Sequence, residues 1–234
     1  MKWRTIALAL TILSLLVVPL AFAQSDDIVV PVYKESNHHI RFDNGNVRVY
    51  EVQLKKGEST AFHEHGADNF AIHISTTAVA AQMLGGQSNV HSLKAGEVSF
   101  ASTAKAPYTH RIGCASDVNF HVVDLEINSK SRLGQGGETP KRPDKNFAVV
   151  LENSRGRAYR MTLKAGETTE VFTRPANTAI FAISGGRTRE VTEGKPPRFW
   201  DSEPGNFRWV DVPDRLTIRN ESVTDLELVE IELF

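Results

Sequence analysis

The stretch GESTAFHEHGAD, Gly57 to Asp68, sets His63 and His65 one residue apart with Asp68 three positions further on. Alternate residues of an extended strand point to the same side. His63 and His65 therefore share a face, and Glu64 turns away. Two neutral imidazoles on one face give a divalent cation half of a four-coordinate shell. Imidazole serves Fe, Mn, Ni, Cu or Zn without choosing among them.

The elements around this stretch repeat. RVYEVQLKKGESTAFHEHGAD, from Arg48, lies over RAYRMTLKAGETTEVFTRPAN, from Arg157, without a gap. HRIGCASDVNFHVVDLEI, from His110, matches the apolar pattern of LTIRNESVTDLELVEIEL, from Leu216. A duplication explains two matches at nearly the same offset. Within each copy the apolar period is two, as in VRVYEVQL, NFAIHIS and LELVEIELF, with Gly, Asn, Asp and Pro between the runs. LGGQS and SGGRT read as hairpin turns. No amphipathic helix stands out. Short strands in copies of this size predict an all-β chain of two sandwiches or barrels.

The remaining stretches set the boundaries. Residues 1–23 carry Lys2 and Arg4, an apolar run, Pro19 and the small-residue pattern Ala21-Phe22-Ala23. That is the order of a cleaved secretory signal, so an exported protein, periplasmic or secreted, is expected. The mature chain has no other run apolar enough to span a membrane. The first copy covers 28–127 and the second 147–234; between them 128–146 is a linker or exposed crossover rich in Gly, Pro, Lys and Arg. With 234 residues and a net charge of −1, nothing resembles a basic stripe for nucleic acid. Cys114 is the only cysteine, which rules out an internal disulfide.

Taken together, these motifs resemble those of the cupin superfamily in its two-domain form. Gly57, five residues, then His63-Glu64-His65 matches the opening of the first cupin motif. Gly96, Pro107 and His110 follow the second loosely, with Cys114 where that motif has asparagine. The resemblance implies two tandem cupin-type jelly-roll β-barrels, each able to hold a metal, and it makes His110 a third ligand. The motif's glutamate is missing. In the second copy Phe172, Arg174 and Leu216 stand at the histidine positions, so only the first copy is expected to bind a metal ion.

For the fourth position, DNFAIHIS allows two faces. If Phe70, Ile72 and Ile74 line the barrel, Asp68 points inward with them, and burial of three large side chains favours that choice. If Asn69 points inward, His73 joins it and becomes a candidate. Water is the third way to complete the shell. His38, His39 and His91 show no visible partner, and His121 reads as an ordinary hydrogen-bonded histidine. Tyr108 and Cys114 share the face of His110; Arg174 reads as the partner of a carboxylate or of an anion. The expected function is an exported metal protein acting on a small organic molecule, with oxygenase, isomerase or lyase chemistry implied by the resemblance. The alternative is a non-catalytic binding or assembly protein. Monomer and homodimer are both compatible with the sequence.

Overall fold

A computed structural model describes residues 28–130, 132–134 and 140–234. The signal segment expected at residues 1–23 lies outside the described residues. The described chain is all-β apart from one short 3₁₀ turn, Val32–Lys34, and no helix in it is long and apolar enough to cross a membrane.

Each copy folds as two sheets. In the first, one sheet runs in the order Val30–Pro31, His63–His65, Tyr108–Cys114, Thr77–Met83 and Ser88–Leu93. The other runs His39–Asp43, Val47–Leu54, Phe120–Ile127, Asp68–His73 and Val98–Ala101. The second copy repeats the latter sheet with Phe147–Glu152, Gly156–Leu163, Leu226–Leu233, Thr178–Ala182 and Phe207–Val210. Its smaller sheet has four strands: Phe172–Arg174, Asp214–Asn220, Gly186–Thr192 and Arg198–Ser202.

The repeated turns carry the same chemistry. Gly57 and Gly166 adopt φ of +82° and +73°, a region that costs a Cβ-bearing residue energy. Each closes a Lys-x-Gly-Glu turn in which the glutamate accepts from the lysine amide, Glu58 from Lys55 and Glu167 from Lys164. LGGQS is a hairpin between paired strands, as expected. SGGRT is not; it leads from Thr178–Ala182 in one sheet to Gly186–Thr192 in the other. The second copy turns its hairpin one connection later, at Gly194.

Among the described residues there are three apolar clusters. One lies between the two sheets of the first copy and includes Val52, Leu54, Val79, Cys114, Phe120 and Val122. A second, between the sheets of the second copy, includes Tyr159, Met161, Phe172, Leu216 and Leu228. The largest joins the copies: Val47, Val49, Phe70, Ile72, Val123 and Leu125 pack against Ala158, Phe181, Val229 and Ile231. The five-stranded sheets at this junction are thus covered on both faces, one by their own partner sheet and one by the other copy. At about 1.5–3 kcal/mol per large apolar side chain, this junction holds the two copies as one body.

The crossover is not wholly exposed. Arg142 is buried, with its guanidinium on Glu230 (2.7 Å) and Glu232 (2.9 Å) of the second copy and over the rings of Phe147, Tyr159 and Phe172. A charged side chain in a segment poor in apolar residues reads as solvated, yet here it completes an interior ion network.

Candidate metal centre

The short strand His63–His65 pairs with Tyr108–Cys114 so that His63 lies opposite His110 and His65 opposite Tyr108. Cross-strand neighbours on one face come within about 5 Å, and the rings meet accordingly. The His63 and His110 centroids are 4.7 Å apart, His65 and His110 5.1 Å, and His63 and His65 5.0 Å. The three imidazoles singled out in the sequence are therefore brought together inside the first copy.

A fourth joins them. His38 stands in the turn before strand His39–Asp43, its ring 4.5 Å from that of His63. Ring nitrogens of His38, His63 and His65 all lie within 4.8 Å of one another, close enough to share one ion. The signal that could have found His38 was the repeat: at the offset that aligns Arg48 with Arg157, His38 falls on Phe147 just as His63 falls on Phe172. A histidine with no strand of its own gave no periodicity to read.

Asp68 is not part of this group. Strand Asp68–His73 turns Asn69, Ala71 and His73 toward the cavity and Asp68, Phe70 and Ile72 toward the second copy. The Asp68 carboxylate accepts from Ser102 Oγ (3.3 Å) and the Ala104 amide (3.1 Å) and pairs with Arg155 (3.3 Å). The burial argument that favoured Asp68 identified the apolar face correctly but assigned it to the wrong core. The large residues are buried against the other copy, which leaves the Asn69 face for the cavity.

Several nitrogens are already committed. His63 Nδ1 donates to the Ala61 carbonyl (2.9 Å), which fixes the tautomer and leaves the lone pair on Nε2; that atom is buried without a hydrogen-bond partner. His38 Nδ1 meets Glu35 Oε2 at 2.6 Å. The Asn69 amide meets His65 Nδ1 at 3.0 Å, and either end of an amide can be turned to such a nitrogen. Backbone carbonyl, carboxylate and amide are the groups that orient imidazoles around a metal.

The electrostatics keep three of the rings neutral. Burial first, then the neighbouring imidazoles, lowers His63 to about 4, His65 to about 2 and His110 to about 3. Glu35 resists its own burial through bonds from His38 and the Ala61 amide and is held at about 2. Neutral imidazoles with free lone pairs are the protonation state that a metal requires. A buried Nε2 with nothing to bond, facing three other rings, fits an ion.

The same cavity, of about 280 Å³, is also lined by Tyr108, Asp124, His73 and a set of aliphatic and aromatic side chains. Burial pushes Asp124 up to about 6, against His38 and with help from Glu126. Sequence reasoning missed it; the alternation of Phe120, Val122 and Asp124 is the signal that could have placed it on the inner face. Tyr108 lines the cavity, whereas Cys114 packs in the core with its thiol near the Val118 carbonyl (3.4 Å). His121 pairs with Glu51 at 2.9 Å, His39 is exposed, and His91 stands at the cavity's exposed edge.

No protein-family model matches the sequence, and no curated protein does. Solved structures do resemble the fold. AerE from Microcystis aeruginosa superposes with a TM-score of 0.59 at 13% identity, covering 83% of this chain and 90% of that one. A mutant of Bacillus subtilis oxalate decarboxylase OxdC superposes with a TM-score of 0.57 at 13% identity, covering 84% and 75%. A cupin 2 conserved barrel domain protein from Leptotrichia buccalis is found at a TM-score of 0.49 and 10% identity, covering 83% and 87%. Identities this low speak for the fold alone. Paired sheets in two repeated copies, superposing over four fifths of the chain on an oxalate decarboxylase, give the conclusion that this chain has an all-β, cupin-like fold.

Proposed function

We propose that the protein is exported and binds one divalent metal ion, among Fe, Mn, Ni, Cu and Zn, in its first jelly-roll barrel. His63, His65 and His110 hold the ion, His38 takes the position that the sequence left to Asp68 or water, and a small organic molecule binds beside it. The observation that carries this reading is the orphaned His63 Nε2 beside the buried rings of His38 and His65 and the half-buried ring of His110. A bound divalent ion would supply Lewis acidity toward substrate oxygens.

The chain's own residues do the rest. Ala61, Glu35 and Asn69 orient the rings. Asp124, poised at about 6, can hold or release a proton beside the ligand near neutral pH. Tyr108 stays protonated, its phenol raised to about 12 mainly by burial, so it acts as a hydrogen-bond donor. The aliphatic walls exclude water. These parts suit metal-dependent oxygenase, isomerase or lyase chemistry; a binder without turnover would use the same parts except Asp124.

The test is stoichiometry. The full mature chain, prepared without a histidine tag, is stripped and offered each metal in turn, and metal per chain is measured by elemental analysis. One ion per chain is expected, falling below 0.1 in His63→Ala at unchanged far-UV circular dichroism (about a tenfold loss or more). Unchanged metal content in His63→Ala would reject the site.

A further inference from the structure

The cavity has two ends of different character, and the contrast between them indicates what it binds. Asn69, Ala71 and His73 follow one another along the inner face of one strand, so Asn69 and His73 are ~13 Å apart at their Cα atoms. Asn69 is hydrogen-bonded to His65 in the imidazole group. His73 is not part of that group. It is 8% exposed, its ring lies 6.5 Å from that of Phe120, and its Nδ1 is buried without a hydrogen-bond partner. Between these ends the wall includes Ala71, Val79, Ala81, Ile112 and Val122, and among the described residues no lysine or arginine lines the cavity. The space exists because side chains are small where the second copy has large ones: cross-strand pairing puts Ala71 where the second copy has Ile180, and Ala81 where it has Glu190.

From this arrangement, and resting on the metal reading above, we propose that the ligand is a small molecule with an oxygen-donor head for the metal and a hydrocarbon body. A polar group at its far end would be met by His73, a specificity residue rather than a metal ligand. A compact dianion does not suit this space. Oxalate would put two oxygens on the ion and turn the other two toward a lining that has hydroxyls at Thr60, Ser99 and Tyr108 but no described lysine or arginine to meet their charge, which is costly. A phenol or catechol turns carbon toward the same walls.

Binding can be read without turnover. The full chain is loaded with Co(II), and its visible bands are titrated with catechol, 4-methylcatechol, 4-ethylcatechol and oxalate. Each added methylene should tighten binding about fourfold, and oxalate should bind at least tenfold more weakly than 4-ethylcatechol. For the far end, 4-(3-hydroxypropyl)catechol should lose about fivefold in His73→Leu, while 4-methylcatechol is unchanged. Cobalt uptake with a flat alkyl series, or with oxalate the tighter ligand, overturns this inference and leaves the metal site standing. Equal losses for both catechols in His73→Leu remove the role of His73. Failure to take up cobalt removes the metal reading, and this inference with it.

Discussion

The two halves of the molecule set different side chains on one scaffold at the same places. Where the first half has His38, His63, His65 and His110, the second has Phe147, Phe172, Arg174 and Leu216. Even the ring geometry persists. His38 meets Tyr50 at 5.9 Å and 84°, Phe147 meets Tyr159 at 6.2 Å and 81°; His38 meets His63 at 4.5 Å and 59°, Phe147 meets Phe172 at 4.7 Å and 59°. Both halves also bury a carboxyl on the same strand position, Asp124 opposite Tyr50 and Glu230 opposite Tyr159. Burial acts on both in the same direction. Glu230 is nevertheless brought down to about 2 by Arg142 and Arg174, while Asp124, with no arginine beside it, is left at about 6 by its burial. The second half supplies its interior cation from its own chain. The first half has four imidazoles, three of them held neutral, and a poised acid, an arrangement that suits a cation taken from solution.

The largest effect should come from breaking the second half's built-in cation. Arg174 is 1% exposed, donates from Nε and one Nη to the two Glu230 oxygens (2.9 and 2.7 Å), and reaches Glu190 at 3.0 Å. Arg174→Met preserves bulk but leaves two carboxylates in the interior with less compensation. A loss of about 3–5 kcal/mol in urea unfolding is expected, with metal content unchanged. A loss below about 1 kcal/mol would mean that the arginine is dispensable and the comparison between the halves is wrong.

Acid should expose the first half instead. Imidazoles in an unfolded chain titrate near 6.5, whereas in the folded, metal-free protein His63 is held at about 4. Between those values the unfolded chain binds more protons than the folded one, so stability falls as the pH drops from 6.5 toward 4 and is flat above 7. Metal-stripped His63→Leu should therefore lose about 2 kcal/mol less than the wild type between pH 7 and pH 5. Chemical denaturation at the two pH values measures this; equal losses would show that the ring is not held neutral by its surroundings.

The repeat, the strand period and the His-x-His pair were legible because each is a local pattern. The place of His110 near that pair followed from the cupin resemblance. Two features were hidden for physical reasons. Alternation along Asp68–His73 shows which residues share a face, but a sheet buried on both sides has two apolar destinations. Nothing local says that Phe70 and Ile72 meet Phe181 of the other copy rather than the cavity. His38 and Arg142 reach their sites from irregular segments, where no period exists, and only the spacing between the copies connects His38 to Phe147.

The smallest effect tests the orientation of the rings. Asn69 holds His65 through Nδ1, and the matching position in the second half is Thr178, whose hydroxyl donates to the Pro175 carbonyl at 2.8 Å and serves only its own turn. Asn69→Ala frees one ring of the four without removing a ligand, so metal affinity should fall by about tenfold, the low end for such supporting groups. Asn69→Asp should restore it, because a carboxylate accepts from the imidazole N–H as the oxygen of the turned amide does. Thr178→Ala should leave metal affinity where it was and cost about 1 kcal/mol of stability for the lost bond. Competition against a chelator of known affinity separates the two variants. If both behave alike, Asn69 is a turn residue like its counterpart, and the orientation of His65 must come from the stacked Tyr108 ring, 5.3 Å away.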